Sequence, residues 1–512
     1  MSNNKFFIKN VSWGLVSYVY SVVIVIVTTP IIIKSIGIEA YGLWLLLQSL
    51  VGYYGFVDMG LRASLTQVLT RSIADQKFDE VISFIGSSVP IMFRLGLIVV
   101  ALSTVIALVL PYFVLMSPDL SGKLWLILLI QALIVMINLV TQPFNGVTVG
   151  FQRYDIAEFL GILVRTLWAI SIAVALSISG NILTFAIVSL SIALIDSFVR
   201  IQRAFFLLPL LRNLKLTIRK EDVRYLRGRG IWNFLIQVGR QILMMTNPLI
   251  VGVLFSATAV APFALASSLI EYGAKLIYQP SRMLFPTLVH IKASERGKDL
   301  KLFFFESARL LTSISVGYGI SAFIWCDIFF KVWLGESTQN ASVFDDAPMI
   351  VAVLSVRFVL ATFLETAVQL LLANEELRFL AIITLSEAIP SLFFAVLFGY
   401  IFGPVGVAAG SLGPMSVLFV FWYLPKILFC LDTNFLELLA KVFFPILCFS
   451  VVFFACIQYY SYYVCSPRTM AGFMFLCGLP SVVFHLILIP LLIDVRRFFP
   501  NFKLRRFWSF FK

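Results

Sequence analysis

Apolar runs of membrane-crossing length follow one another along the chain, parted by short polar breaks. A helix that crosses a bilayer needs about 20 mostly apolar residues. The pattern predicts helices at Val11–Ile33, Tyr41–Val57, Ser83–Leu110, Gly122–Thr148, Tyr154–Ser177, Asn181–Leu207, Gly230–Phe255, Thr258–Phe285, Leu302–Trp333, Pro348–Ala373, Phe379–Phe402, Gly403–Cys430, Phe435–Tyr460 and Thr469–Ile493. Runs such as Leu124–Val140 are continuously apolar and lack the alternation of a β-barrel strand. The expected fold is an all-α polytopic membrane protein with about 14 transmembrane helices.

Composition narrows the picture. The 512 residues are 60% hydrophobic and 13% charged, with a mean hydropathy of +0.98. A soluble domain carries about 25% charged residues, so a cytosolic enzyme, a disordered chain and a disulfide-stapled secreted module are excluded. The net charge of +13 resides in short loops and near the C-terminus. With the N-terminus inside, cytoplasmic segments collect about 27 of the basic residues and outer loops about four, as the positive-inside rule requires. An odd number of spans would spoil that balance, so both termini are expected in the cytoplasm. The distribution fits anionic lipid, not nucleic acid. Lys5 and Lys9 precede a long apolar run with no small-residue cleavage site, which reads as an uncleaved first span.

Two polar-edged segments have amphipathic character. Between Arg62 and Glu80, the residues Leu65, Val68, Leu69 and Ile73 share one helical face opposite Arg71, Asp75 and Gln76, which suits an interfacial helix. The tail 494–512 interleaves Arg496, Arg497, Lys503, Arg505 and Arg506 with phenylalanines and Trp508, and is expected on the cytoplasmic leaflet. A weak repeat with an offset near 220 residues relates Thr28-Thr29-Pro30-Ile31-Ile32 to Thr246-Asn247-Pro248-Leu249-Ile250, and Ser179-Gly180-Asn181 to Phe402-Gly403-Pro404. The expected organisation is a six-helix lobe 1–207, a basic linker 208–229, a second six-helix lobe 230–430, two further helices in 431–493, and the tail. Repeats of this kind often flank a transport path.

Reactive chemistry is sparse. No phosphate-binding loop, nucleophile elbow or H-E-x-x-H helix occurs, and the six cysteines form no C-x-x-C pair. Neither enzymatic activity nor a cofactor is expected, and with two histidines there is no credible zinc or haem site. The informative residues are charges inside the spans, each costing about 2.5–3.5 kcal/mol at a helix centre. They are Arg94, Arg165, Arg240, Glu271, Lys275, Arg357, Glu365 and Glu387 near mid-span, with Asp58 and Asp196 nearer the cytoplasmic ends. Glu271 and Lys275, at i and i+4, are positioned to pair. Arg165 and Glu387 occupy equivalent repeat positions and could bridge the halves as a gate or a strut. Arg94 and Arg357 lack a local partner, so each either meets an anion from outside the protein, snorkels, or finds a distant carboxylate. The central excess is cationic, Arg94, Arg165, Arg240, Lys275 and Arg357 against the glutamates, which suits an anionic substrate bound through guanidinium forks. Trp13, Tyr18, Tyr20, Trp44, Tyr53, Tyr54 and Trp232 could stack on sugar rings, although interfacial belts account for many such residues.

The stretch from Thr29-Pro30 through Gly37-Ile38-Glu39-Ala40-Tyr41-Gly42-Leu43-Trp44 to Asp58-Met59-Gly60-Leu61 resembles the opening of polysaccharide (O-antigen, Wzx-type) flippases, as does Gly403-Pro404-Val405-Gly406-Val407-Ala408. These belong to the multidrug/oligosaccharidyl-lipid/polysaccharide exporter superfamily. The resemblance implies two six-helix lobes around a central cavity, two appended helices, and a location in the bacterial inner membrane. It implies translocation of an undecaprenyl-diphosphate-linked oligosaccharide, used for O-antigen or another surface polysaccharide, from the cytoplasmic to the periplasmic leaflet. The cationic cavity carries over as a tendency onto the five cations above. Asp58, Glu271, Glu365 and Glu387 are candidates for coupling or gating. The expected assembly is a monomer among membrane lipids, with a polysaccharide polymerase and a chain-length regulator as partners. The main alternative is a multidrug or cation antiporter of the same superfamily, which would favour an acidic cavity.

Overall fold

The computed structural model describes residues 2–57, 61–219, 231–293, 297–335, 344–463, 467 and 469–488. Asp58, the tail 494–512 and the second half of the basic linker lie outside the described residues. Fifteen helices are described: α1 (Ser2–Ile36), α2 (Ile38–Tyr53), α3 (Leu61–Ala74), α4 (Phe78–Val109), α5 (Pro118–Gly150), α6 (Tyr154–Ser179), α7 (Ile182–Leu207), α8 (Ile231–Leu254), α9 (Ala257–Ala293), α10 (Gly297–Leu334), α11 (Ala347–Ala373), α12 (Leu377–Ala409), α13 (Leu412–Leu431), α14 (Phe435–Ser461) and α15 (Met470–Leu488). Among them, 13 are long and apolar enough to cross a membrane. The expected second span is the 16-residue α2, extended by a single 3₁₀ turn, Tyr54–Phe56. With the amphipathic α3 set aside, the helices match the expected number, and the protein is an all-α, multi-pass membrane protein.

The boundary between the eleventh and twelfth spans is one residue. Within α12, Gly403 takes φ 67° and ψ −153°, a region only glycine enters without strain. The chain doubles back there: a Cβ on Gly406 would collide with the Phe398 carbonyl, and one on Gly410 with the Ala395 backbone. Helices α13, α14 and α15 each contain one wide π turn, at Phe419–Tyr423, Leu439–Phe443 and Met474–Gly478. Each precedes a proline, Pro425, Pro445 or Pro480. A proline lacks the N–H for the i−4 carbonyl and crowds it, and the wider turn makes room.

Packing divides the chain into two compact units, Met1–Ala264 with Thr384–Gly410, and Leu265–Ile383 with Ser411–Lys512. In the first unit, α3 packs its apolar face on protein, a partner its pattern did not reveal. Leu65, Leu69 and Ile73 are buried in a cluster with Val81, Ile85 and Val147. Gly146 and Gly150 of α5 admit Leu69 and Ile73 against their backbone. The apolar face of α3 is therefore spent on protein. In the same unit, a Cβ on Gly42 of α2 would strike the Ala257 carbonyl, and one on Gly52 would press on Gln241 and Met245 of α8. These glycines bring α2 backbone-close to α8 and the start of α9.

The two Thr-x-Pro sites compared in sequence each carry the same local bond. Thr28 Oγ1 donates to the Ile24 carbonyl at 2.8 Å, and Thr246 Oγ1 to the Ile242 carbonyl at 2.5 Å. Each threonine stands two residues before a proline, Pro30 or Pro248.

Candidate functional site

In the second unit, α9 and α11 bring three of the singled-out charges together. Lys275 Nζ lies 3.6 Å from Glu271 Oε2, so the i, i+4 pair forms, with both side chains about half exposed (54% and 45%). The Arg357 guanidinium of α11 acts electrostatically on the same carboxylate. Arg357, which had no local partner by sequence, is thus within electrostatic range of Glu271. Two turns along α11, Glu365 Oε1 accepts from Gln369 Nε2 at 3.1 Å. The floor beside this cluster is aromatic. Tyr318 of α10 fits against Gly273, donates from its hydroxyl to the Leu269 carbonyl at 2.6 Å, and meets Phe358 edge-on. Glu271, Lys275 and Arg357 together sum to one positive charge, and the Glu271 and Lys275 side chains are accessible from outside the helix pair.

The remaining candidates fall in the first unit. Arg165 of α6 donates from Nη1 to Ser17 Oγ of α1 at 2.7 Å; among the described residues it is not brought to Glu387. Arg240 is exposed on α8, next to Gly239, whose backbone touches Thr384 of α12. Glu387, one turn past Thr384, is 7% exposed and has an interaction of its own, as does Arg240. Asp196 is paired with Arg200 at 2.5 Å.

Arg94 is placed differently from the others. It is exposed on α4 beside Phe93, Leu97 and Ile98, which are also exposed, while Met92, Gly96 and Val99 form the packed face. The sequence placed it near mid-span in a cationic cavity; the side chains exposed around it on α4 are apolar.

Several aromatic candidates serve packing. Trp44 is buried edge-on against Phe185, Tyr54 is buried with its hydroxyl on Ser103, and the Tyr53 hydroxyl bonds Thr246. Tyr20 pairs with Thr166, and Trp13 meets Phe159. The side chain of Trp232 is outside the described set.

Sequence reasoning missed three buried charges, Arg203, Glu306 and Asp155, the last paired with Arg153 at 3.0 Å. Arg203 was counted with the cytoplasmic loop, yet it is 7% exposed on α7, donating from Nε to Thr148 Oγ1 at 2.9 Å and from Nη2 to Asn145 Oδ1 at 2.8 Å. The signal was its register: it falls on the same helical stripe as the buried Phe185 and Ile192. Glu306 of α10 is likewise buried and partnered. A surface cavity of about 840 Å³ opens between α3, the first turns of α4 and Arg219. Its rim mixes Arg71, Lys77 and Arg219 with Asp75, Asp79 and Glu80, so it has no dominant sign. Among the described residues, no group of three or more His, Cys, Asp or Glu is placed to hold a metal ion.

These features define a class: a multi-pass helical membrane protein with charges built into its spans. The profile of the family described as "Polysaccharide biosynthesis protein" matches residues 36–343, and the chain belongs to that family. Solved structures agree in fold. A multidrug resistance MATE family transporter of the MOP superfamily, in an inward-facing conformation, is similar at 15% identity and a TM-score of 0.68, covering 83% of this chain and 99% of its own. The lipid II flippase MurJ, in an inward closed conformation, is similar at 13% identity and a TM-score of 0.68, covering 96% of this chain and 99% of its own. A MOP superfamily transporter from Pyrococcus furiosus is similar at 13% identity and a TM-score of 0.54, covering 80% and 96%. No curated protein matches in sequence.

Proposed function

We propose that the protein is a flippase that carries an undecaprenyl-diphosphate-linked oligosaccharide, an O-antigen or other surface-polysaccharide unit, from the cytoplasmic to the periplasmic leaflet. The observation that carries this reading is membership of a polysaccharide biosynthesis family in a chain whose fold matches a lipid II flippase over nearly its whole length. The protein would reside in the bacterial inner membrane with both termini cytoplasmic, as the basic loops favour, and work as a monomer beside a polymerase and a chain-length regulator. Lobes 1–207 and 230–430 would rock about the substrate in alternating access.

In this mechanism Lys275 and Arg357 receive the diphosphate, and Glu271 holds them apart and in place until it arrives. A diphosphate brings more negative charge than one carboxylate, so it competes for both cations. Arg240 and Arg165 would extend the cationic path, while the polyprenyl tail stays in lipid. Protonation of Glu365, Glu387 or Asp58 would couple the cycle to an ion gradient; polymerisation or ligation outside would supply a sink otherwise. Arg94, whose exposed neighbours on α4 are apolar, is left out of this path.

A second reading, a multidrug or cation antiporter, is favoured by the MATE transporter's equal TM-score. The two separate in one assay. Purified protein in liposomes is given a fluorescent undecaprenyl-diphosphate oligosaccharide on one leaflet, and transbilayer movement is followed. Wild-type movement that falls about tenfold or more in Arg357→Ala, with folding unchanged, is the expected result; a tenfold loss corresponds to about 1.4 kcal/mol of substrate or transition-state binding. No movement across several glycans, together with gradient-driven uptake of an organic cation, would establish the antiporter instead.

A further inference from the structure

Helix α4 has two faces of opposite character. On one, Met92, Val99 and Ser103 are buried, and Gly96 lets the Met136 side chain of α5 press on its backbone. On the other, Phe93, Leu97, Ile98, Leu102, Val105 and Leu108 are all exposed, the last at 69%. A water-filled path would not be lined in this way, whereas hydrocarbon is the natural solvent for such a stripe. The exposed stripe begins at Phe93 and ends at Tyr112 and Phe113. At about 1.5 Å of rise per residue that is close to 30 Å, the thickness of a bilayer's hydrocarbon core. Below it, the first turns of α4 carry Asp79, Glu80 and Ser83, and the buried Ser87 bonds the Thr217 carbonyl. The lipid-facing length of α4 is therefore fully assigned, and Arg94 stands at its lower edge, where hydrocarbon gives way to head groups.

Among the described residues Arg94 has no ion pair or hydrogen-bond acceptor, unlike Arg165, Arg200 and Arg203. A guanidinium cannot shed its charge and holds five donors that need acceptors. At the rim of an apolar face, the anion in reach is the phosphate of a lipid, which a guanidinium fork grips through two oxygens. We infer that Arg94 is a binding point for the phosphate of a phospholipid in the leaflet at the N-terminal end of α4, the cytoplasmic one by the distribution of basic loops, with the acyl chains lying along the Phe93–Leu108 stripe. The bound lipid fixes the depth at which the first unit sits in the bilayer.

Two measurements test this. The full-length protein is reconstituted with phosphatidylglycerol, and retained lipid is counted by native mass spectrometry. Wild type and Arg94→Lys are expected to keep one more phosphatidylglycerol per chain than Arg94→Leu; equal retention in Arg94→Leu overturns the assignment. Should Arg94→Leu fail to fold, a photo-crosslinking phenylalanine at Phe93, with Arg94 intact, gives an independent readout in native membranes. A phospholipid adduct is expected. An adduct with a polyprenyl-diphosphate glycan, or no lipid adduct at all, overturns the proposal, the former by moving Arg94 onto the substrate's route.

Discussion

Arg203 and Arg165 are each held by neutral oxygens and not by carboxylates, and that shapes what their removal does. Arg203 lies buried between Thr148 and Asn145. Replacing it with methionine leaves two buried acceptors unanswered, at a cost of about 2–3 kcal/mol. A lowered melting temperature of Arg203→Met in detergent is expected, and an unchanged one would show that the two bonds contribute nothing net. Glu387 offers a test of a different kind. If its proton is the coupling proton, Glu387→Gln flips at a rate indifferent to an imposed pH gradient while wild type accelerates; a mutant that still responds would remove Glu387 from coupling. The sequence picked out Glu271 and Lys275 correctly as a pair because both partners sit on one helix, where spacing alone fixes proximity. It could not show that Arg357 acts on the same carboxylate, because the two residues lie more than 80 positions apart in the chain.

At the level of elements, most of the fold was legible because each span must satisfy its own backbone hydrogen bonds inside hydrocarbon, which leaves helix as the only option for an apolar run. What was not legible is what each helix face touches. The stripe Leu65, Leu69, Ile73 announces an amphipathic helix, but lipid and protein both accept an apolar face. The deciding features, Gly146 and Gly150, sit in another helix some 75 residues on. Leu69→Ala should therefore behave as a core truncation, destabilising by about 2–5 kcal/mol; loss of membrane affinity with unchanged stability would restore the interfacial reading. The reversal at Gly403 makes a sharper claim. Alanine there must adopt a backbone conformation costing about 1–3 kcal/mol, so Gly403→Ala should lower the melting temperature, whereas alanine at Gly14, where nothing crowds a Cβ, should not. Equal behaviour of the two would mean the turn has an alternative conformation.

For the whole molecule, the family and fold leave the cargo as the open variable, and charge balance gives the handle. The cluster around Glu271 carries two cations and one anion. Lys275→Glu inverts that to two anions and one cation while keeping a polar chain at the same position. Under the flippase reading, movement of the diphosphate-linked glycan in liposomes should fall by about tenfold or more, since the net charge facing the phosphates turns negative and Arg357 alone is left to attract them. A variant that instead gains uptake of an organic cation would show that cluster polarity selects the cargo, and that flippase and antiporter differ here by few substitutions.

Helices α1 and α8 share a mechanical property through their matching Thr-x-Pro sites. Pro30 has no N–H to offer the Ile26 carbonyl, and Pro248 none for Met244. In both helices the preceding threonine hydroxyl bonds a carbonyl one turn earlier, which favours bending. Each rod is thus a rung short at corresponding heights, and its stiffness is lowest there. Strain applied to either end will concentrate at two matched joints, leaving the segments above and below to move as straight levers.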